Sequence, residues 1–495
     1  IMLTSQSRLT TAIFLLLIIL SASVVYAPGL SGGFVFDDVS NITSNPLVAM
    51  DELSWVELKR AAFSMDSRQI SRASFGLNHL AGGYDPYGYK VMNLVIHIIN
   101  GTLVFVFSWL LIKTLQRHDT SFDNYPAALF AGFVALAWTL HPINLTNVLY
   151  VVQRMNSLSG LFVLAGLICY MAGRTAIETK PRHGIIMMLL APLVFTPLAY
   201  FSKENGALLP GLLLVIEATI FQFRTNSAQS RKALWIFFIV VLAIPAILAI
   251  TYILTHPGRV HAGFNNRFFT LEERLLTEAR VALLYVRWIL LPIPADLGLF
   301  HDDIQLSTGL FTPITTAISI ATLASATVLA IVYRARIPII SFGILFFLAG
   351  HVMESTFIPL EIAFEHRNYL PSLGILAIIF YYLLLPGTTN RFTTIRKYSA
   401  ITLIVLLGVV TYNRAQDWSS NIRLFVTESA NHPMSPRANY ETGKIYGKIL
   451  ERGTNETDRY YKLAQHYFLA STKARDNFTS GLFGLILSSK DAGKA

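Results

Sequence analysis

Cysteine occurs once in the 495 residues, as Cys169, and charge is scarce, with Asp, Glu, Lys and Arg making up 14% of the chain. A lone cysteine excludes an intramolecular disulfide and a zinc site built on a cysteine cluster. Soluble domains carry roughly 25% charged residues, so this chain, 53% hydrophobic, is committed largely to lipid. Acidic residues are the scarcer sign, 29 against 39 Lys and Arg, a formal charge of +10. That excess invites a nucleic-acid reading, and its placement argues for no nucleic acid as partner.

Apolar runs of about 17–25 residues can cross a hydrocarbon core of ~30 Å. Eleven such runs lie near 11–27, 89–113, 125–141, 156–173, 184–201, 205–222, 233–254, 311–333, 337–353, 370–386 and 398–412. Lys and Arg gather in the loops 113–124, 174–183, 223–232, 334–336 and 387–397 and at Arg8, whereas the opposite short loops hold chiefly Arg154 and Lys203. Basic loops mark the cytoplasmic side. The N-terminus is therefore expected inside and, with an odd number of spans, the C-terminus outside. Arg8, the run from Ala12 and the small residues near Ala27 fit a cleaved leader only loosely, because the run is of full span length.

The pattern predicts an all-α fold: a polytopic membrane helix bundle over 1–412, then a small, polar helical domain over 413–495. Residues 28–88 form the first outer loop, in which 51–63 reads as a surface helix with Trp55, Leu58 and Ala62 on one face. Within the outer loop 255–310, Thr270 and Glu273 have capping-box spacing, and Glu273, Arg280 and Arg287 recur every seven residues on one helical face. A crossing there would carry Arg334, Arg336, Arg391, Arg396 and Lys397 outside, so 270–291 is read as a re-entrant or surface helix. Beyond Tyr412, Arg437–Gly443 recurs as Arg475–Gly481, a shift of 38 residues, near the tetratricopeptide period of ~34.

On the outer side fall Asp37, Asp38, Arg154, Lys203, Glu204, Glu365, His366 and Arg367, with Arg280 and Arg287 along the surface helix. Adjacent carboxylates repel and are partly desolvated, which raises one pKa toward a range useful for taking a proton from a hydroxyl; an Asx-turn or helix cap is the structural alternative. The guanidinium fork suits phosphate, and lysine serves as a point charge. Asn93, His97 and Asn100 make a polar stripe best explained by interhelical hydrogen bonds. Glu365 and His366 are metal-ligand types without further spacing, so a divalent cation is left open.

Several stretches occur in an order that resembles a known family: Gly33-Phe-Val-Phe-Asp37-Asp38 with Asn45-Pro46, Gly88-Tyr89 through Asn93 and His97, His141-Pro142 with Arg154, Phe201-Ser202-Lys203-Glu204, Phe269-Thr270 with Tyr285, and Glu365-His366-Arg367-Asn-Tyr369-Leu-Pro371. They resemble the membrane O-mannosyltransferases of GT-C type that carry C-terminal tetratricopeptide repeats. The resemblance implies inverting transfer of a sugar from a polyprenyl-phosphate-linked donor to a protein hydroxyl on the extracytoplasmic face. It places the catalytic acid on Asp37 or Asp38 and phosphate contacts on Arg154, Lys203 or Arg367. The short repeat region departs from the family pattern and suits a small or dedicated acceptor, such as a pilin-like protein. The competing readings are a GT-C transferase acting on a glycolipid or polymer, a transporter, and a non-catalytic membrane assembly scaffold.

Overall fold

The computed structural model describes residues 5–123, 125–226, 228–385, 390–475 and 478–494. Among the described residues the chain is helical, with no strand beyond an isolated bridge between Gly309 and Thr312. Eight helices are long and apolar enough to cross a membrane: Arg8–Ser31, Pro86–His118, Val151–Ala176, Pro181–Ser202, Glu204–Phe221, Ala228–Thr255, Thr315–Val332 and Phe392–Asp417. Ala127–Thr139 and Pro142–Leu149, bent by 53°, make a ninth if taken as one span.

Two of the eleven expected runs give shorter helices. Residues 337–353 form Pro338–His351 and residues 370–386 form Ser372–Leu383, of 14 and 12 residues. At 1.5 Å per residue these reach only ~20 Å. Residues 352–371 between them are turns, irregular backbone and a short 3-10 turn, and it is this backbone that walls the candidate site.

The middle of the bundle is formed by Pro86–His118, Val151–Ala176 and Glu204–Phe221, more than half buried, with Ala228–Thr255 and Thr315–Val332 at its rim. The polar stripe on Pro86–His118 ties these helices together as expected. Asn93 Nδ2 donates to the Val148 and Val151 carbonyls at 3.1 and 3.2 Å, His97 Nδ1 lies 2.9 Å from the Tyr369 hydroxyl, and Asn100 Nδ2 donates to the Ser157 carbonyl at 2.8 Å. Within the bundle Arg174 meets Glu217 at 3.0 Å and the Tyr170 hydroxyl donates to the same carboxylate at 2.7 Å, a pairing that a low-dielectric setting favours.

The capping box forms as its spacing predicts, starting a helix at Leu271–Leu290 that is not among the crossing helices. Its buried polar face, however, is Arg274, Thr277 and Glu278, while Arg280 and Arg287 stand on the outward side. On the first loop, Trp55–Ala62 leaves Trp55 and Val56 exposed, so its aromatic end is not packed on the bundle.

The last crossing helix runs past residue 412 to Asp417, and Asn421–Asn431, Pro436–Glu451, Thr457–Ala474 and Ser480–Asp491 follow. Both repeated glycines serve close packing around Phe468: a Cβ on Gly443 would lie 2.7 Å from its ring, and one on Gly481 would lie 2.9 Å from its carbonyl. The repeat's Asp476 and Asn477 lie outside the described residues.

If Leu271–Leu290 does not cross, its two ends share a compartment. With Cys169 replaced by Ser, Glu272→Cys and Leu291→Cys are expected to react with a membrane-impermeant maleimide from the same side as Asp51→Cys. Labelling of the two from opposite sides would make the helix a span.

Candidate functional site

Where the first apolar helix ends, the chain enters its first long loop through Phe36, whose φ of 42° lies in the left-handed region that a bulky residue rarely adopts. What holds it there is the next-but-one residue. Asp38 is fully buried, and its two oxygens accept the backbone N–H groups of Val35 at 3.0 Å and Val152 at 2.7 Å. The loop is thus fixed to the turn that begins Val151–Ala176. Both oxygens being occupied, Asp38 positions the loop, and Asp37 beside it is turned the other way, into a cavity of about 610 Å³. The Tyr150 hydroxyl accepts the Asp37 backbone N–H at 3.0 Å.

The cavity wall comes from six places in the chain: Phe36, Asp37 and Asn41; Arg68; Val152, Gln153 and Met155; Lys203, Glu204 and Asn205; Arg267; and residues from Met353 to Arg367. Arg68, like Phe36, sits in left-handed backbone, with φ 64°. Strained non-glycine residues persist only where surroundings over-determine them, and they collect at functional sites.

Four carboxylates line the cavity, and three are neutralised. Glu204 meets Arg68 at 3.0 Å, Glu354 meets Lys203 at 2.7 Å, and Glu361 meets both Arg267 and, at 2.8 Å, Arg437. Among the described residues Asp37 has no such ion pair. The electrostatics follow. Burial works against ionisation of Glu354 and Glu361, yet Lys203 with Arg367, and Arg437 with Arg267, hold the two carboxyls below the usual range. Burial pushes Asp37 above it, outweighing a hydrogen bond from Tyr150 and the more distant Arg437. Asp38 rises to about 7, again by burial and against its two backbone donors. His366 is driven well below its ordinary value by burial and by the nearby cations Lys203 and Arg367, so its imidazole is neutral.

Lys203 is almost fully buried and also donates to Asn156 Oδ1 at 3.2 Å. Arg367 donates Nη1 to the Ile362 carbonyl at 2.9 Å and Nη2 to that of Glu361, stiffening the irregular segment that follows the short helix Pro338–His351. Its guanidinium is fixed where an anion entering the cavity would meet it.

Of the residues singled out from sequence, the structure brings Asp37, Lys203, Glu204, His366 and Arg367 together around one space. The others lie elsewhere. Arg154 is fully buried beneath Phe75 and Tyr89, donates to Asn93 Oδ1 (2.7 Å) and to the Ser74 and Tyr89 carbonyls (3.0 and 2.9 Å), and does not line the cavity. Glu365 is enclosed and forms a two-pronged pair with Arg414, at 2.9 and 3.1 Å. Arg280 donates to the Gln305 carbonyl and Arg287 pairs with Asp296, both outside the cavity. Arg68, Arg267, Glu354 and Glu361 were missed. Glu354 and Glu361 carried a readable signal, since they precede the Glu-His-Arg triplet in the same outer loop, whereas the backbone bend that aims Arg68 has no signature in residue type. Among the described residues no group of three or more His, Cys, Asp or Glu is arranged to hold a metal ion.

The C-terminal helices complete the site's support. Arg437 reaches Glu361 and lies 5.5 Å above the Phe36 ring, while His432 Nδ1 meets Asp303 at 3.0 Å, Glu428 accepts the Leu299 N–H at 2.8 Å and Arg475 donates to the Asp302 carbonyl at 2.6 Å.

No family model matches the chain, and no solved structure matches it. Over most of its length it is similar to proteins named protein O-mannosyl-transferases, the family that its motifs resemble. Identity is 27% over 455 residues with one from Caenorhabditis elegans, covering 87% of this chain and 60% of the relative. It is 23% over 502 residues with protein O-mannosyl-transferase TMTC3 of Homo sapiens, covering 92% and 51%, and 22% over 508 residues with Tmtc3 of Drosophila melanogaster, covering 89% and 53%. The chain thus spans between half and three-fifths of the length of these curated relatives.

Two variants test the division of labour between the aspartates. Asp38→Asn turns an amide N–H toward one of two backbone donors and is expected to cost about 1–3 kcal/mol of stability, read as a lowered unfolding midpoint in detergent, whereas Asp37→Asn should leave the midpoint unchanged. Equal losses would refute the division. Arg437→Gln is expected to speed amide exchange roughly tenfold in residues 34–41 and 358–364 while the four C-terminal helices keep their protection; unaltered exchange there would show that Arg437 does not brace the site.

Proposed function

We propose that the chain is a glycosyltransferase that moves a sugar from a polyprenyl-phosphate-linked donor to a serine or threonine hydroxyl of a protein, with Asp37 as general base. The observation that carries this reading is the single unpaired carboxylate, facing fixed cations in one cavity at an end of a membrane bundle. The similarity to protein O-mannosyl-transferases supports it.

A polyprenyl donor keeps its chain in lipid and presents its phosphosugar at the membrane surface, at the level of the loops that form the cavity. Asp37 takes the proton of the acceptor hydroxyl as the hydroxyl oxygen bonds to the anomeric carbon. The bond from that carbon to the phosphate oxygen breaks, and its electron pair stays on the phosphate. Lys203, Arg367 and Arg68 stabilise the charge that grows there, and they are already held in place by Glu354, backbone carbonyls and Glu204. The leaving phosphate is weakly basic, so no general acid is needed. Attack from the face opposite the phosphate inverts the anomeric centre. The cavity opens on the extracytoplasmic side, the side away from the basic loops.

A second reading keeps the donor half and replaces the protein by a glycolipid or polymer acceptor. The packing of the C-terminal helices against the cavity wall favours a protein acceptor, since helical-hairpin domains are binding surfaces for polypeptide.

Transfer from a polyprenyl-phosphate sugar to a Ser/Thr peptide is expected to fall at least about a thousandfold in Asp37→Asn, the range of a general base. A base works deprotonated. With its pKa raised above ~3.9 by burial, the acid limb of kcat/KM should lie at higher pH than an ordinary aspartate would give, and it should move in Asp37→Glu. Sustained turnover in Asp37→Asn would overturn the assignment.

A further inference from the structure

Two of the central helices reach a second cavity at the other end of the bundle. Val151–Ala176 gives Val152 and Met155 to the first cavity and Arg174 and Thr175 to the second; Glu204–Phe221 gives Glu204 to the first and Phe221 to the second. At 1.5 Å per residue the two are ~25–35 Å apart, about one hydrocarbon thickness. The second encloses about 580 Å³ among Arg117, His118, Arg174, Glu178, Arg224 and Asn226.

Its floor is rigid. Arg174, buried and paired with Glu217, donates Nη2 to the Arg224 carbonyl at 2.6 Å. Arg224 in turn donates Nη1 to the His118 carbonyl at 3.0 Å and Nη2 to Gln222 Oε1 at 2.9 Å, joining two helix ends. The turn that carries it passes through left-handed backbone at Gln222 and Phe223, with φ 55° and 52°. Among the described residues the other non-glycine positions of that kind are Phe36 and Arg68, which line the first cavity.

Capping of helix carbonyls explains part of Arg224 and the pair with Glu217 explains Arg174, but neither explains Arg117. Arg117 is exposed and lines the same space, and among the described residues it has no hydrogen-bond or ion-pair partner. With Arg174 neutralised by Glu217, the lining residues Arg117 and Arg224 face the lining carboxylate Glu178, and Asp119, just outside the lining, also feels Arg224. Beside them Phe223 stacks on the half-exposed Trp235, with ring centroids 4.6 Å apart, the aromatic pairing expected at headgroup level.

We propose that this cavity binds a phosphate group. An anionic lipid headgroup is one source, since basic cavities between membrane helix ends suit it; a soluble phosphate is the other. The inference is independent of the transfer reaction.

The test is thermal unfolding of the purified full chain in neutral detergent, titrated with phosphatidylglycerol, phosphatidylcholine or inorganic phosphate. Phosphatidylglycerol, and not phosphatidylcholine, is expected to raise the midpoint. Arg117→Gln should weaken the apparent affinity about tenfold, the loss of one charge-assisted hydrogen bond, and Arg117→Lys should keep most of it. A rise with inorganic phosphate that Arg117→Gln also weakens would support the site and identify the soluble source. No rise with any of the three in the unsubstituted chain, or an equal rise in Arg117→Gln, overturns the proposal. Arg117 has no structural partner to lose, so its variants are expected to fold.

Discussion

Each oxygen of the Asp38 carboxylate holds one backbone N–H, from Val35 on one side and from Val152, 114 residues further along, on the other. On that pair of bonds rests the path of the whole loop: the left-handed turn at Phe36, the outward aim of Asp37, and the spacing between the first span and the start of the helix Val151–Ala176. A buried carboxylate without such partners would be costly. Here the cost is offset by two short bonds, and the neighbouring aspartate is left free of structural duty.

The same economy governs the cations. Lys203, Arg68, Arg267 and Arg437 each meet a carboxylate, and Arg367 is spanned between carbonyls. Removing one member of a buried pair strands the other charge, so these groups are locked at fixed separations before any ligand arrives. A site of this kind does little rearranging when charge develops inside it, which is the condition under which electrostatic stabilisation is most effective.

Much of the architecture was legible in the sequence. The long apolar runs, the helix opened by its Thr270–Glu273 capping box, and the Asn93–His97–Asn100 stripe each rest on periodicity and local chemistry, which residue types encode. Expected side of the membrane was the sieve for the site, and among the residues it gathered, Asp37, Lys203, Glu204, His366 and Arg367 line one cavity. It failed for Arg154 and Glu365 because burial beside the site resembles membership of it: both are charged, both lie near span ends, and both are consumed by internal partners. The face of Leu271–Leu290 was misjudged for a related reason. Seven-residue spacing marks Glu273, Arg280 and Arg287, yet the structure buries Arg274 and Glu278, which pair with each other, and Arg274 reaches on to the Glu354 and Leu360 carbonyls, 80 and 86 residues away. The shortened helices at Pro338 and Ser372 were invisible to hydropathy, since the backbone that leaves the helix is as apolar as the backbone that stays.

The wall of the cavity draws on residues from Phe36 to Arg367, and its brace on Arg437. During synthesis, then, the loop bearing Asp37 emerges first and waits. It can adopt its working shape only after Val152 has been threaded into place, and it gains its final support once Arg437, in the ninth tenth of the chain, has been made. The enzyme-like geometry is therefore a late product of biogenesis, and half-made chains are born without it.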